Sequence, residues 1–259
     1  HTFGNSWSVA FLTYYFYIKK KPIIRELVNN MNTPYYPIQF KWFFRKVFQS
    51  EGTMMIAISK KLKDLCEGYK VKKIWFRPNP VNEKKFYLID KVKKFRLRNK
   101  LTPFSNDDII LIHIASFMTQ KNHIFLLDVL KWLPKNYKLY IGGPVQNDEH
   151  KINYQKVQNK INELNLKDRV YLTNGFIENI DEFIQLSDVF LFPTWNEALG
   201  TPVLEAQACG VPVVANLMQG STDCWIKDGR GGFLVEYFDE KIWAKKIISA
   251  LNISDEILK

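Results

Sequence analysis

Two glutamates, Glu197 and Glu205, bracket the run Glu197-Ala198-Leu199-Gly200-Thr201-Pro202-Val203-Leu204-Glu205. Gly200 leaves the backbone bare, Thr201 suits a helix N-cap, Pro202 suits the first helical position, and Gly210 supplies the stop. A helix N-terminus reached through a glycine offers unpaired N–H groups and the positive end of a dipole to an anion such as a diphosphate. Thr201 and Glu205, four residues apart, share one face of that helix.

The elements that must position this run are readable around it. Asp188-Val189-Phe190-Leu191-Phe192-Pro193 is an apolar stretch of buried-strand character, and Pro202 to Cys209 is helical, so the segment reads strand, loop, helix. From about residue 107 strands alternate with helices: strand 108–116, helix 122–133, strand 137–142, helix 153–165, strand 169–173, helix 180–186, strand 189–192 and helix 202–209. Strands 211–215 and 232–235 and helix 240–251 complete the series. The strands are near-continuous and β-branched, which predicts a parallel sheet covered on both faces, the doubly wound α/β class. In such sheets ligands sit beyond the carboxyl ends of the strands. Ser116, Gly142-Gly143 and the Glu197 to Glu205 junction all fall at such ends, so three loops are expected to converge. Lys121 is expected in the first turn of helix 122–133, where a cation opposes the dipole unless an anion is bound there.

Residues 1–80 repeat the style with helix 6–18, strand 22–27, helix 38–48, strand 54–59, helix 60–67 and strand 72–76. Too few strands are present for an independent domain, and the expectation is the C-terminal portion of another α/β domain. Pro78-Asn79-Pro80-Val81-Asn82 is rich in turn formers and marks the linker, giving 1–80 and 81–252 as the domains. The chain opens on His1 within an apolar helical pattern, which reads as a fragment truncated at the N-terminus and also at the C-terminus.

A composition of 46% hydrophobic and 24% charged residues over 259 positions excludes a disordered chain. Cys66, Cys209 and Cys224 are scattered without metal-ligand spacing and read as reduced thiols of a cytosolic protein. The net charge of +11 is uneven: residues 1–100 carry 22 basic and 6 acidic side chains, and residues 101–259 carry 15 and 20. A basic first part attracts phosphates of nucleic acid, anionic lipid or a small diphosphate, and charge alone does not choose among them. Val9 to Ile18 is apolar and aromatic, yet about ten residues cannot span a bilayer that needs about twenty.

Ala57-Ile58-Ser59-Lys60, the linker with Phe86, Lys121-Asn122, Gly142-Gly143-Pro144, and Asp188 through Gly210 ending in Val211-Pro212-Val213-Val214 occur together in order. That series resembles the group 1 glycosyltransferases, retaining GT-B enzymes marked by two glutamates separated by seven residues. The likeness runs from about residue 54 to 251. It implies a transferase that moves a sugar from a nucleotide-diphosphate sugar to an unknown glycan or lipid-linked acceptor, in polysaccharide or glycolipid biosynthesis, with 81–252 as the donor-binding Rossmann-like domain and 1–80 as the C-terminal portion of an acceptor-side one.

Carried over by residue, the resemblance assigns Glu205 to the donor ribose and Glu197 to hydroxyls of the transferred sugar. An ionised carboxylate accepts two hydroxyl donors at once, as a vicinal diol presents them. Leu199, Gly200 and Thr201 amides face the sugar and diphosphate, Lys121 pairs with the diphosphate, and Ser116, Gly142 and Gly143 line the donor site. Glu197 and Lys121 are the expected catalytic residues. No Asp-x-Asp occurs in the chain, so neither a metal nor a cofactor is expected. Family members commonly carry arginine where Ser116 stands, and glycine where Ala198 stands. A histidine of the acceptor domain has no counterpart in Arg25-Glu26-Leu27-Val28.

Simpler readings stand beside these. Asn147-Asp148-Glu149-His150 lacks a partner cluster for a metal, His113 reads as a core or rim histidine, and Cys209 as packing. Lys41-Trp42-Phe43-Phe44-Arg45-Lys46-Val47-Phe48 interleaves cations and aromatics; Phe40, Phe43, Phe44, Val47 and Phe48 recur at helical spacing, which fits core packing with a basic outer face. Docking on an anionic membrane surface is the alternative, with nucleic acid not expected. The expected location is the cytoplasm or the inner membrane face. Two other functions share the donor site: a sugar-nucleotide epimerase of the same fold, and a donor-binding pseudoenzyme.

Overall fold

The computed structural model describes residues 2–3, 7–27 and 41–253, with side chains from residue 10 onward. Ser6, the 38–40 start of the expected second helix with Phe40, and Val28 lie outside the described residues. The chain forms two compact units. The smaller holds His1–Pro80, Glu197–Gly200 and Gln219–Cys224; the larger holds Val81–Asn196, Thr201–Met218 and Trp225–Lys259.

In the smaller unit the order is β1 (Thr2–Phe3), α1 (Trp7–Ile18), β2 (Ile23–Leu27), α2 (Lys41–Phe48), β3 (Thr53–Ala57), α3 (Lys60–Gly68) and β4 (Ile74–Phe76). The four strands lie side by side in chain order, all parallel. α2 buries Phe44, Val47 and Phe48 and leaves Trp42 exposed, the split that its spacing predicts. The Arg25 guanidinium lies 5.2 Å from the Phe44 ring centre and 5.4 Å from that of Phe48. Burial lowers its pKa to about 10.

The larger unit runs α4 (Lys91–Leu101), β5 (Ile109–Ile114), α5 (His123–Leu130), β6 (Tyr137–Gly142), α6 (Asp148–Glu163), β7 (Val170–Leu172), α7 (Ile180–Gln185), β8 (Val189–Phe192), α8 (Thr201–Ala208), β9 (Val213–Asn216), β10 (Lys227–Asp228), β11 (Gly231–Val235) and α9 (Glu240–Ala250). Its sheet has the order β10-β11-β9-β8-β5-β6-β7. The chain builds outward from β5 through β6 to β7, then returns to place β8 on the other flank of β5, with Leu111 beside Val189 and Ile112 beside Phe190. That reversal is where a doubly wound sheet opens a crevice beyond its carboxyl ends. Alternate residues of each strand serve opposite faces. Leu111, Leu139 and Leu191 pack with Leu126, Val157 and Trp243 of α5, α6 and α9. Ile112, Tyr140 and Phe190 pack with Ile184 of α7 and Val203 and Ala206 of α8.

Most expected elements are present with ends shifted by one or two residues, but four differences bear on function. α6 begins at Asp148 on an Asn147 cap, whose side chain accepts the His150 N–H, so Asn147-Asp148-Glu149-His150 is a helix start. α5 begins at His123 rather than Asn122, which moves Lys121 out of its first turn. Thr201 is the first residue of α8 and not its cap. β1, α4 and β10 were not anticipated. α4 carries no apolar stripe, because basic residues interrupt it on every side; burial of Leu97 and Arg98 holds it instead.

Arg98 and Asp188 explain α4. Asp188 lies 2.6 Å from an Arg98 nitrogen and 2.9 Å from Lys94 Nζ, and also accepts the Ile110 N–H at 2.7 Å. Arg98 further donates to the Leu186 carbonyl at 2.9 Å. Asp188→Ala leaves a buried guanidinium uncompensated and should cost about 3–5 kcal/mol of stability, read as a fall in the urea midpoint. An unchanged midpoint would make the pair incidental.

Candidate donor-binding site

Four loops of the larger unit, those after β5, β6, β7 and β8, are tied together at the carboxyl ends of its strands. The Ala115 N–H donates to the Gly142 carbonyl at 3.0 Å, and the Gly175 N–H to the Gly143 carbonyl at 3.1 Å. Gly143 has φ +157°, and a Cβ there would stand 1.9 Å from the Ala115 carbonyl oxygen. The paired glycines thus let the loops after β5 and β6 touch, a requirement of close approach beyond an ordinary turn. The β8 loop is stitched on by Gln120, whose carbonyl accepts the Trp195 N–H at 3.2 Å and whose amide donates to the Asn196 carbonyl at 3.3 Å.

Ser116 and Lys121 lie on the loop after β5, Gly142 and Gly143 at the end of β6. Lys121 closes a short 3₁₀ turn, Thr119–Lys121, and Asn122 follows it in the left-handed region at φ 56°. The dipole conflict expected of Lys121 therefore does not arise in α5. Its Nζ lies 5.9 Å from the ring centre of Phe192, the last residue of β8, so the cation sits at the carboxyl end of the strand that leads to Glu197. The turn itself is pinned by Glu149, which accepts from the Thr119 N–H at 3.0 Å and its hydroxyl at 2.9 Å. Asn153 adds a 2.9 Å bond to the Phe117 carbonyl.

Thr201 and Glu205 come from α8 of the same unit, while Glu197, Leu199 and Gly200 group with the smaller unit. Gly200 turns the chain into α8 at φ 78°. Glu197 is partly buried and accepts the neighbouring Ala198 N–H at 3.1 Å. Burial raises the Glu205 carboxyl above the usual carboxylate range. Among the described residues no three His, Cys, Asp or Glu side chains gather as a metal site.

The sequence reading missed Gln120, the role of Glu149 and the burial of His123. Gln120 and Glu149 act through loop contacts with partners 76 and 30 positions away, which no local pattern announces. His113 is fully buried in β5, as a core histidine, and His123 is nearly so.

A parallel sheet with a strand-order reversal, glycine-joined loops at its carboxyl ends and a helix N-terminus behind a glycine define a Rossmann-like binding domain of the GT-B type. The family model for glycosyl transferases group 1 matches residues 94–257, and the chain belongs to that family. It is 28% identical over 211 residues, 77% of this chain and 51% of the other, to the UDP-Gal:alpha-D-GlcNAc-diphosphoundecaprenol alpha-1,3-galactosyltransferase of Escherichia coli. With the capsular polysaccharide biosynthesis glycosyltransferase CapM of Staphylococcus aureus it shares 27% over 241 residues, covering 85% and 58% of the two chains. The chain thus spans about half the length of these curated relatives. Anabaena Alr3699/HepE in complex with UDP superimposes with a TM-score of 0.85 at 17% identity, over 99% of this chain and 71% of that one. WaaG, a glycosyltransferase involved in lipopolysaccharide biosynthesis, gives 0.70 at 16%, over 96% and 73%.

Proposed function

We propose that this chain carries the donor half of an enzyme that transfers a sugar from a nucleoside-diphosphate sugar to a glycan or lipid-linked acceptor, with retention and without a metal. The observation that carries the reading is the joining of the β5, β6 and β8 loops, which sets Lys121 at the end of the strand that leads into the two-glutamate run. In this reading Glu205 holds the ribose, Glu197 the transferred sugar, and the Gly200 and Thr201 amides with Lys121 the diphosphate. The bond from the anomeric carbon to the diphosphate breaks with oxocarbenium character. Fixed N–H donors and the Lys121 ammonium stabilise the charge that grows on the leaving diphosphate. Ser116, where the family commonly has arginine, favours one second reading: a pseudoenzyme that binds donor without turnover.

Incubating the full-length protein with a panel of nucleotide sugars and an acceptor extract, and measuring released nucleoside diphosphate, separates the two. Release that persists in EDTA is expected. Binding without release would establish the pseudoenzyme; sugar isomers without release would establish an epimerase. Loss of release in EDTA, restored by magnesium, would overturn metal independence.

The smaller unit supports a membrane-facing role. α1 exposes Phe11, Leu12, Tyr14, Tyr15 and Ile18, and α2 joins it through Tyr14 and Phe43 rings 5.5 Å apart. Trp42 is exposed with Lys46 Nζ 5.3 Å from its ring centre, Lys41 and Arg45 belong to α2, Lys19, Lys20 and Lys21 directly follow α1, and neither helix contains an acidic residue. Aromatics flanked by cations match an anionic lipid surface, each cation contributing about 1 kcal/mol. The full-length protein should sediment with vesicles containing phosphatidylglycerol and not with phosphatidylcholine alone. Lys41→Glu with Arg45→Glu and Lys46→Glu should abolish sedimentation; binding that survives them would exclude this surface.

A further inference from the structure

Beneath the Lys121 segment lies a buried pair of histidines that the chemistry above does not use. His113, in β5, is fully enclosed, and its Nδ1 stands 2.9 Å from the Leu191 carbonyl of β8. A carbonyl only accepts, so Nδ1 carries the proton and Nε2 the lone pair. That Nε2 is buried without a hydrogen-bond partner among the described residues, and the Lys121 charge opposes protonation of the ring. His123, the first residue of α5, packs its ring edge-to-face against His113 at 4.6 Å and stacks on Phe117 at 4.5 Å. Its Nε2 stands 3.4 Å from the Ala115 carbonyl. The imidazole of His123 therefore grips the β5 loop at both ends of the Ala115-Ser116-Phe117 stretch, and the peptide that carries Lys121 runs directly into it.

We propose that His113 and His123 are positioning residues for Lys121: two neutral imidazoles, one anchored on β8 and one on Ala115, fix the loop that holds the cation where the donor diphosphate binds. The inference rests on the reading of Lys121 as the diphosphate cation. Neither ring touches the donor, and both act through the backbone of residues 115–122. Asn122 takes a left-handed turn that asparagine tolerates better than most residues, and contacts on either side constrain it further. The His123 contacts, the Asn153 bond to Phe117 and the Glu149 bonds to Thr119 supply that constraint.

The test is UDP binding by calorimetry on the full-length protein, well below its melting temperature. Lys121→Ala is expected to weaken UDP. His123→Leu should weaken it by about tenfold or more, since small displacements of positioned groups are costly. His123→Gln, which returns a donor at the reach of Nε2, should restore affinity to within about threefold. The double variant Lys121→Ala/His123→Leu should bind no more weakly than Lys121→Ala alone. Should His123→Leu fail to fold, His123→Asn is polar but too short to reach Ala115, and should lose affinity in its place. Wild-type affinity in His123→Leu or His123→Asn, or a loss that adds in full to that of Lys121→Ala, overturns the inference while leaving the Lys121 reading intact. Wild-type affinity in Lys121→Ala overturns the reading and the inference with it.

Discussion

Glu205→Gln in the full-length protein is expected to weaken binding of a nucleoside diphosphate, with UDP as the probe, by about 10- to 100-fold, because a hydrogen bond to a charged acceptor is worth about 1.5–3 kcal/mol. The same substitution should raise the melting temperature of the unliganded protein at neutral pH. Burial raises the folded-state pKa of Glu205, so the folded chain holds that proton more tightly than the unfolded chain. Its contribution to stability is fully present below the unfolded value and is lost as pH rises through the folded one. At pH 7 the ionised, partly buried carboxylate is a burden that a glutamine lacks. Calorimetry for UDP and scanning fluorimetry for the melting temperature read the two effects separately. Unchanged affinity would remove Glu205 from the ribose; a lowered melting temperature would show that its carboxylate is a structural partner.

The second large effect is acid lability centred on the histidine pair. Burial lowers the His113 pKa from 6.5 to about 4, and burial, together with the charges of His113, Lys121 and His150, lowers His123 as well. Bonds to the Leu191 and Ala115 carbonyls oppose those shifts without reversing them. Lys121 faces the pair from the 3₁₀ turn and His150 from α6, where Glu149 is engaged by Thr119. Since the unfolded chain binds protons that the folded chain refuses, stability is fully present above pH 6.5 and falls as pH drops from there toward 4. At about 1.4 kcal/mol per unit, His113 alone removes about 3 kcal/mol over that range. Urea midpoints measured from pH 7 to 4.5 should fall steeply in the wild type and less so in His113→Asn. Parallel curves for the two proteins would show that His113 is not the source.

The larger unit was legible in the sequence because its strands are almost wholly buried, and buried parallel strands write themselves as unbroken apolar runs such as Val189-Phe190-Leu191-Phe192. The glycine and proline punctuation around Gly200 and Gly210 located α8 to within a residue. α4 was not legible: its position depends on Arg98 meeting Asp188, a pairing across most of the domain, and not on an apolar stripe. β1, two residues long, offers no period to detect. At the candidate site, Ser116, Lys121 and Gly143 were singled out by motif, yet what joins the loops that carry them, a glycine pressed against the Ala115 carbonyl and a glutamine bridging to Trp195, exists only in three dimensions. Lys121 itself was placed one element too far along, because a 3₁₀ turn and the helix after it look alike in sequence.

The return of the chain from β7 to β8 also sets a schedule. β5 and β8 are neighbours in the sheet, and the bonds that join them, from Asp188 to Ile110 and from Leu191 to His113, link residues 78 positions apart. Contacts of that span form only after a long loop has closed, which makes them slow. On a ribosome that adds about 5–20 residues per second, β5 waits about 4–16 s before β8 emerges to join it. Until then His113 has no carbonyl to bind and the loop that bears Lys121 has no floor. The candidate donor site is therefore among the last parts of this domain to acquire its shape during synthesis, and a nascent chain halted before β8 holds half a sheet with an open apolar edge.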